Sequence, residues 1–280
     1  MPGGTATDSP QPPTARSWSP AALTIAGADS SGGAGLAADL RAFAACGVHG
    51  AFAVTLVSAQ NTVEFRGAQP IDAEFVAAQI DAVLDDMPIT ASKSGLLLTT
   101  ESIAVVSSLA ARRLPQLVVD PVLVNGAGTP MLSAQAERAV ATRLLPQARV
   151  VTPNHLEAGR LLGRDLGDDP EAWFDAAHEL AAAGPEAVVI TGGRLRTGDS
   201  VTDVALVDGN VRLLLGPRIA TRNVRGSGDT FSAAICAELA KGAGLADAIE
   251  RAHDLTARAI AASAQRRLGS GQGPVDPIAA

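Results

Sequence analysis

Short apolar runs rich in β-branched residues recur along the chain, and most are followed by a stretch with helical spacing. The runs are Ala21–Ala26, ending at Gly27, then Ala51–Ala59, Ile89–Lys93, Leu117–Val122, Arg149–Thr152 and Ala187–Thr191. Strands that are apolar on both faces belong in a parallel sheet covered by helices on both sides. Helical stretches fall between them. Leu36, Leu40 and Phe43 form one stripe, and further helices are read from near Asp72, then over Thr99–Arg112, Ser133–Leu144, Asn154–Leu162 and Pro170–Ala183. Asp229–Lys241 and Leu245–Ala264 read as two closing helices. Val201–Val207 and Val211–Leu215, joined by Asp208-Gly209-Asn210, predict a β-hairpin and hence antiparallel strands at one edge. The class is α/β, with a mostly parallel sheet between two helical layers. Sites in such folds lie at the carboxyl ends of the strands.

Residues 21–280 read as one domain. The first twenty carry five prolines and no apolar core pattern, which predicts a disordered tail and not a signal peptide. A hydrophobic share of 47% against 18% charged is that of a globular chain. No apolar run reaches membrane-spanning length. The net charge is −7 and the basic residues are scattered, which argues against nucleic acid as a partner. Two cysteines, Cys46 and Cys236, make neither a disulfide framework nor a metal spacing, and a reducing cytoplasm fits them.

Four polar clusters carry the chemistry. Gly33-x-Gly35-x-x-Ala38 looks like a dinucleotide fingerprint, but Asp29-Ser30-Ser31 separates it from its strand and the second strand ends without a ribose-binding carboxylate. A turn allowing close approach to a substrate reads better. Asp39 shares the apolar helix face of Leu36 and Phe43, so it needs a partner, and a polar heterocycle could be one. Gln60-Asn61-Thr62 follows the second strand; a carboxamide matches a ring nitrogen beside an exocyclic amine, although an ordinary turn is the plain alternative. Gly226-Ser227-Gly228-Asp229-Thr230 opens a helix and offers free N–H groups to an anion. There Asp229 is either a helix cap or a base that takes a proton from an attacking hydroxyl. Asn154 and Glu157, three apart at a strand-to-helix junction, form either a capping pair or a hard-oxygen site for Mg²⁺, with Asp120 as a second carboxylate. No P-loop sequence is present.

Taken together, LTIAGADSSGGAG-LAADL, SAQNT, KSGLL, VVDPV, TPNHLEA, GSGDT and GQGPV resemble the hydroxymethylpyrimidine and phosphomethylpyrimidine kinases of thiamine biosynthesis. The resemblance runs from about Leu23 to Val275. It implies a ribokinase-like three-layer α/β/α sandwich, ATP with Mg²⁺, and a homodimer. Carried over residue by residue, it puts Gly27, Asp39, Gln60, Leu96 and Val122 around the pyrimidine. Gly226, Ser227 and Gly228 become the anion hole, and Asp229 the base in place of the family's frequent cysteine. Asn154, Thr191, Gly193 and Arg225 fall on the nucleotide side, with Asp120 and Glu157 near the metal. Two lysines often found in the family are replaced by Thr191 and by the Val124-Asn125-Gly126 loop. Arg225, with Arg194 second, is expected to supply the missing cation. A pyridoxal kinase on the same frame is the nearest alternative, and a non-catalytic binder of a vitamin precursor is a more distant one.

Overall fold

The computed structural model describes residues 19–126, 128–195 and 199–280. Most of the Pro-rich tail thus lies outside the described residues. Nine strands build one sheet: β1 (Ala21–Asp29), β2 (His49–Gln60), β3 (Phe65–Pro70), β4 (Ala91–Ser94), β5 (Leu117–Val119), β6 (Val150–Val151), β7 (Ala187–Ile190), β8 (Ser200–Val207) and β9 (Asn210–Pro217). Their order is β3-β2-β1-β4-β5-β6-β7-β8-β9. The six strands from β2 to β7 in that order are parallel. β8 and β9 form the expected hairpin, pairing antiparallel from β7 outward. Its turn is the dipeptide Asp208-Gly209, both with positive φ, which matches the twist of the strands it joins. β3 is a second antiparallel edge that the sequence did not suggest, since FRGAQP is mostly exposed and has no apolar alternation.

Period-two alternation assigns each strand side chain to a layer. Leu23, Ile25, Val119, Val151, Val188 and Ile190 face one core. There they meet α2 (Ala73–Asp86), α3 (Thr100–Ala110), α4 (Ala134–Ala139), α5 (His155–Leu162) and α6 (Trp173–Ala181). Ala22, Ala91, Val118, Val150, Ala187 and Val189 face the other core, with α1 (Leu36–Ala45), α7 (Ser227–Ala240) and α8 (Leu245–Ser263). The fold is the anticipated α/β/α sandwich. Several elements are shorter than their apolar runs suggest. β5 stops at Val119 because Asp120-Pro121 turns the chain away, and the helix expected over Ser133–Leu144 becomes a π-type turn from Val140. β1, by contrast, continues through Gly27 to Asp29, absorbing the glycine in a register shift against β2.

Candidate active site

The alternation that builds the second core also places polar groups on its face. Thr24 follows Ala22, Lys93 follows Ala91, and Asp120 follows Val118, each two residues on. All three therefore point toward α1 and α7. Lys93 is completely buried there. Its Nζ lies 2.5 Å from Asp39 Oδ1, 3.5 Å from Asp229 Oδ1 and 3.9 Å from Asp120 Oδ2. Burial works against its charge, but the three carboxylates outweigh burial and hold the ammonium above its ordinary range. Asp39 also accepts a 2.6 Å hydrogen bond from Thr24. Burial pushes its carboxyl up to about 7, with Lys93 pulling the other way.

The partner Asp39 requires is thus a lysine and not a substrate. Its side chain has no exposed surface, and neither has that of Lys93. Sequence reasoning passed over Lys93 although a signal was present, a lysine inside a four-residue buried strand.

The N-cap of α7 is Gly226, whose φ of 76° is left-handed and whose Cβ, if present, would sit 2.3 Å from the carbonyl oxygen of Gly33. No side chain caps this helix. Neither Ser227 nor Asp229 spends itself on capping, and the helix start keeps its positive end for a ligand. Asp229 lies in the first turn with 17% of its side chain exposed. The glycine-rich segment after β1 packs on this turn. Arg41 of α1 donates Nη1 to Gly32 O, while its Nε and Nη2 are buried without a partner. Burial lowers its pKa, against the pull of Asp229 and Asp29.

The TPNHLE junction resolves into a capping box. Asn154 Oδ1 accepts from the N–H groups of Leu156 and Glu157, and Glu157 Oε2 accepts from Asn154 N at 3.0 Å. Glu157 Oε1 also accepts from Leu123 N at 3.0 Å. Burial, reinforced by Asp120, pushes the Glu157 carboxyl up to about 7. Burial raises Asp120 to about 6, although Lys93 opposes it and Ser232 donates to its Oδ2. Two buried carboxyls, with Lys93 as the nearest cation at 3.9 Å from Asp120, fit a hard divalent cation that keeps several waters. Among the described residues, no group of three or more His, Cys, Asp or Glu could hold a metal alone. Val122, just beyond Asp120, has a φ of 35°, a strained value for a β-branched residue.

Thr191 bridges Asn154 across the ends of β6 and β7, and Gly193 is exposed beside it. Gly192 N donates to the buried Asp203 at 2.8 Å, and His253 Nε2 approaches Asp203 at 3.8 Å. His253 therefore backs this turn. The two arginines expected to supply a phosphate-side cation have separate settings. Arg194 donates to the carbonyls of Asn125 and Gly126. Arg225 pairs with Asp29 and Gln60, on the side of the SAQNT segment. Gly27 packs against Leu56, and Leu96 is partly buried in the first core.

Solved structures of similar shape define the class. Bacillus subtilis pyridoxal kinase, in an ADP complex, matches with a TM-score of 0.85 and 36% identity, covering 93% of this chain and 98% of that one. Staphylococcus aureus pyridoxal kinase, in complex with AMP-PCP and pyridoxal, matches with a TM-score of 0.85 and 30% identity over 94% and 95% of the two chains. The protein is a kinase of the ribokinase-like fold. Sequence comparison narrows this further. The family model described as phosphomethylpyrimidine kinase matches residues 29–276. A hydroxymethylpyrimidine/phosphomethylpyrimidine kinase of Rhizobium meliloti is 43% identical over 256 residues, 91% of this chain and 95% of its own. The chain belongs to the phosphomethylpyrimidine kinase family.

Proposed function

We propose that the protein transfers the γ-phosphoryl group of ATP to the hydroxymethyl group of 4-amino-5-hydroxymethyl-2-methylpyrimidine, and then phosphorylates the resulting monophosphate, in the cytoplasm. The observation that carries this reading is Asp229 beside an uncapped, glycine-rich helix start. Asp229 takes the hydroxyl proton as the substrate oxygen attacks the γ-phosphorus. The bond from that phosphorus to the bridging oxygen breaks, and ADP leaves. The N–H groups at Gly226 and Gly228 face the negative charge of the group in transfer, while Ser227, whose N–H donates to Val224 O at 3.2 Å, completes the turn that presents them. Mg²⁺, held near Asp120 and Glu157, would supply further charge neutralisation when bound. Asn154, Thr191 and Gly193 border the nucleotide side. Gln60 reads the aminopyrimidine edge, with Gly27, Leu96 and Val122 around the ring.

Lys93 and Asp39 support Asp229 from behind. Lys93 approaches one carboxylate oxygen at 3.5 Å, which holds the base in place and leaves the other oxygen for the substrate. Asp229→Asn should lower kcat by about 10² or more, with little change in substrate affinity. Near-normal turnover in steady-state assays would remove the base assignment.

Pyridoxal phosphorylation is the second reading, favoured by the similarity to two pyridoxal kinase structures. Gln60 argues for the pyrimidine, since pyridoxal presents a phenolic oxygen where the pyrimidine presents an amine beside a ring nitrogen.

A further inference from the structure

Four segments distant in sequence build one hydrogen-bonded network around the Gln60 carboxamide and the Arg225 that grips it. The first is the end of β1. Asp29 Oδ1 accepts from the N–H and hydroxyl of Ser31, both at 2.8 Å, which fixes the carboxylate. Its Oδ2 accepts from Arg225 Nε at 3.1 Å and Nη2 at 2.9 Å. The second is the segment leading into α7. Arg225 Nη2 also donates to Gln60 Oε1 at 2.6 Å. The third is β2, where Gln60 Nε2 donates to Ser58 Oγ at 2.8 Å, and the Ser58 hydroxyl in turn donates to Ala28 O at 3.0 Å. The fourth is the terminal GQGPV stretch, which binds the Arg225 backbone from both sides: Arg225 N donates to Gly273 O, and Val275 N donates to Arg225 O.

Direction is what gives this chain its content. A guanidinium has five donors and no acceptor. The atom of Gln60 that faces Arg225 must therefore be the carbonyl oxygen. At the other end, Ser58 has committed its only proton to Ala28, so it accepts from the amide nitrogen. Either neighbour alone would prefer this orientation; together they exclude the flipped one. A carboxamide that could turn over would offer a donor-acceptor pair in either order.

We infer that Arg225 is a positioning residue that locks the Gln60 carboxamide in one orientation and so sets which heterocycle edge the site accepts. This rests on the reading that Gln60 faces the substrate ring. The locked amide keeps one N–H and one carbonyl lone pair for a ligand, in a fixed order along the edge. An aminopyrimidine answers both, its ring nitrogen accepting and its exocyclic amine donating. A pyridine ring with a phenolate answers only the donor and leaves the carbonyl facing an anion. The guanidinium lies over Gly33, where a Cβ would come within 2.7 Å of its side chain, so the glycine-rich turn is shaped to this arginine as well as to a substrate.

The test is a double-mutant cycle with two substrates and one ligand-free readout. Arg225→Met, Arg225→Lys, Gln60→Ala and the double variant Arg225→Met/Gln60→Ala are assayed with hydroxymethylpyrimidine and with pyridoxal. Arg225→Met should raise KM for the pyrimidine by about tenfold, the scale of one charge-assisted hydrogen bond, and leave KM for ATP near its starting value. Arg225→Lys keeps a donor-only cation and should recover much of the loss. In the Gln60→Ala background the arginine change should add little to KM for the pyrimidine, while its effect on pyridoxal stays small throughout. The side-chain amide of Gln60 is followed by nitrogen–proton NMR in the free wild-type protein and in Arg225→Lys. Slow exchange and a single orientation are expected in both. Additive losses in the double variant, a rise confined to KM for ATP, or a freely exchanging Gln60 amide in the wild type would each overturn the assignment. A wild-type enzyme inert toward the pyrimidine but with a locked amide would overturn the substrate reading and leave the positioning role intact. Failure of Arg225→Met to fold leaves the lysine variant and the wild-type spectrum to decide.

Discussion

Lys93 has no exposed surface and shares its pocket with three carboxylates. Only the ammonium makes that grouping tolerable, because each buried carboxylate alone would carry a desolvation cost of several kcal/mol. Lys93→Met keeps the volume and removes the charge. It should destabilise the fold by about 3–5 kcal/mol, the scale for orphaning buried partners. Adding Asp39→Asn should restore part of that, because the amide needs no counter-ion. Denaturant melts of the two variants check this; equal stability of wild type and Lys93→Met would mean that the carboxyls are already neutral. The same logic shows what could be read from residues alone. Asp39 was recognisable as a polar group on an apolar face, and so was its need for a partner. The partner's identity was not, because it depends on the parity of a strand 54 positions away.

Element by element, the buried parallel strands and the long helices were readable because their apolar periods are strong. β3 was not: it is held by hydrogen bonds to β2, and its side chains carry no core signal. The glycine-rich start of α7 was recognised as an anion site from residue type. Its freedom from side-chain caps is a matter of rotamers that no pattern reports. The β6–α5 junction went the other way. Asn154 and Glu157 form the capping box that their spacing allows, so the same residues that would border the nucleotide also build the helix beneath it. A consequence follows for protons. Burial holds Glu157 near 7 and Asp120 near 6, so at neutral pH a share of each carboxyl is protonated. A divalent cation binds the ionised form, and loading with Mg²⁺–nucleotide should therefore release protons at pH 7. The release should fade toward pH 9, where the carboxyls are already ionised. Titration calorimetry in two buffers of different ionisation heat measures it, and no release at pH 7 would speak against those two carboxyls meeting the metal.

At the scale of the whole molecule, the sheet brings the candidate groups to one end, the carboxyl ends of β1, β2 and β4 to β7 and the start of α7. The opposite concern is the β3 edge. Phe52, Phe65 and Phe75 are 47%, 51% and 62% exposed, on β2, β3 and α2. Unpaired edge strands with exposed aromatic side chains invite a partner. If the protein self-associates through this edge, Phe65→Asp should shift it toward monomer in light scattering. A monomeric wild type would contradict that. Among the described residues no helix is long and apolar enough to cross a membrane. The most direct test of the function is product analysis. The purified chain is incubated with Mg²⁺–ATP and, separately, with hydroxymethylpyrimidine, its monophosphate and pyridoxal, and the products are identified by mass spectrometry. Stepwise appearance of the pyrimidine monophosphate and diphosphate, each matched by ADP, is the predicted result; ADP formed with pyridoxal alone, or with none of the three, would contradict it.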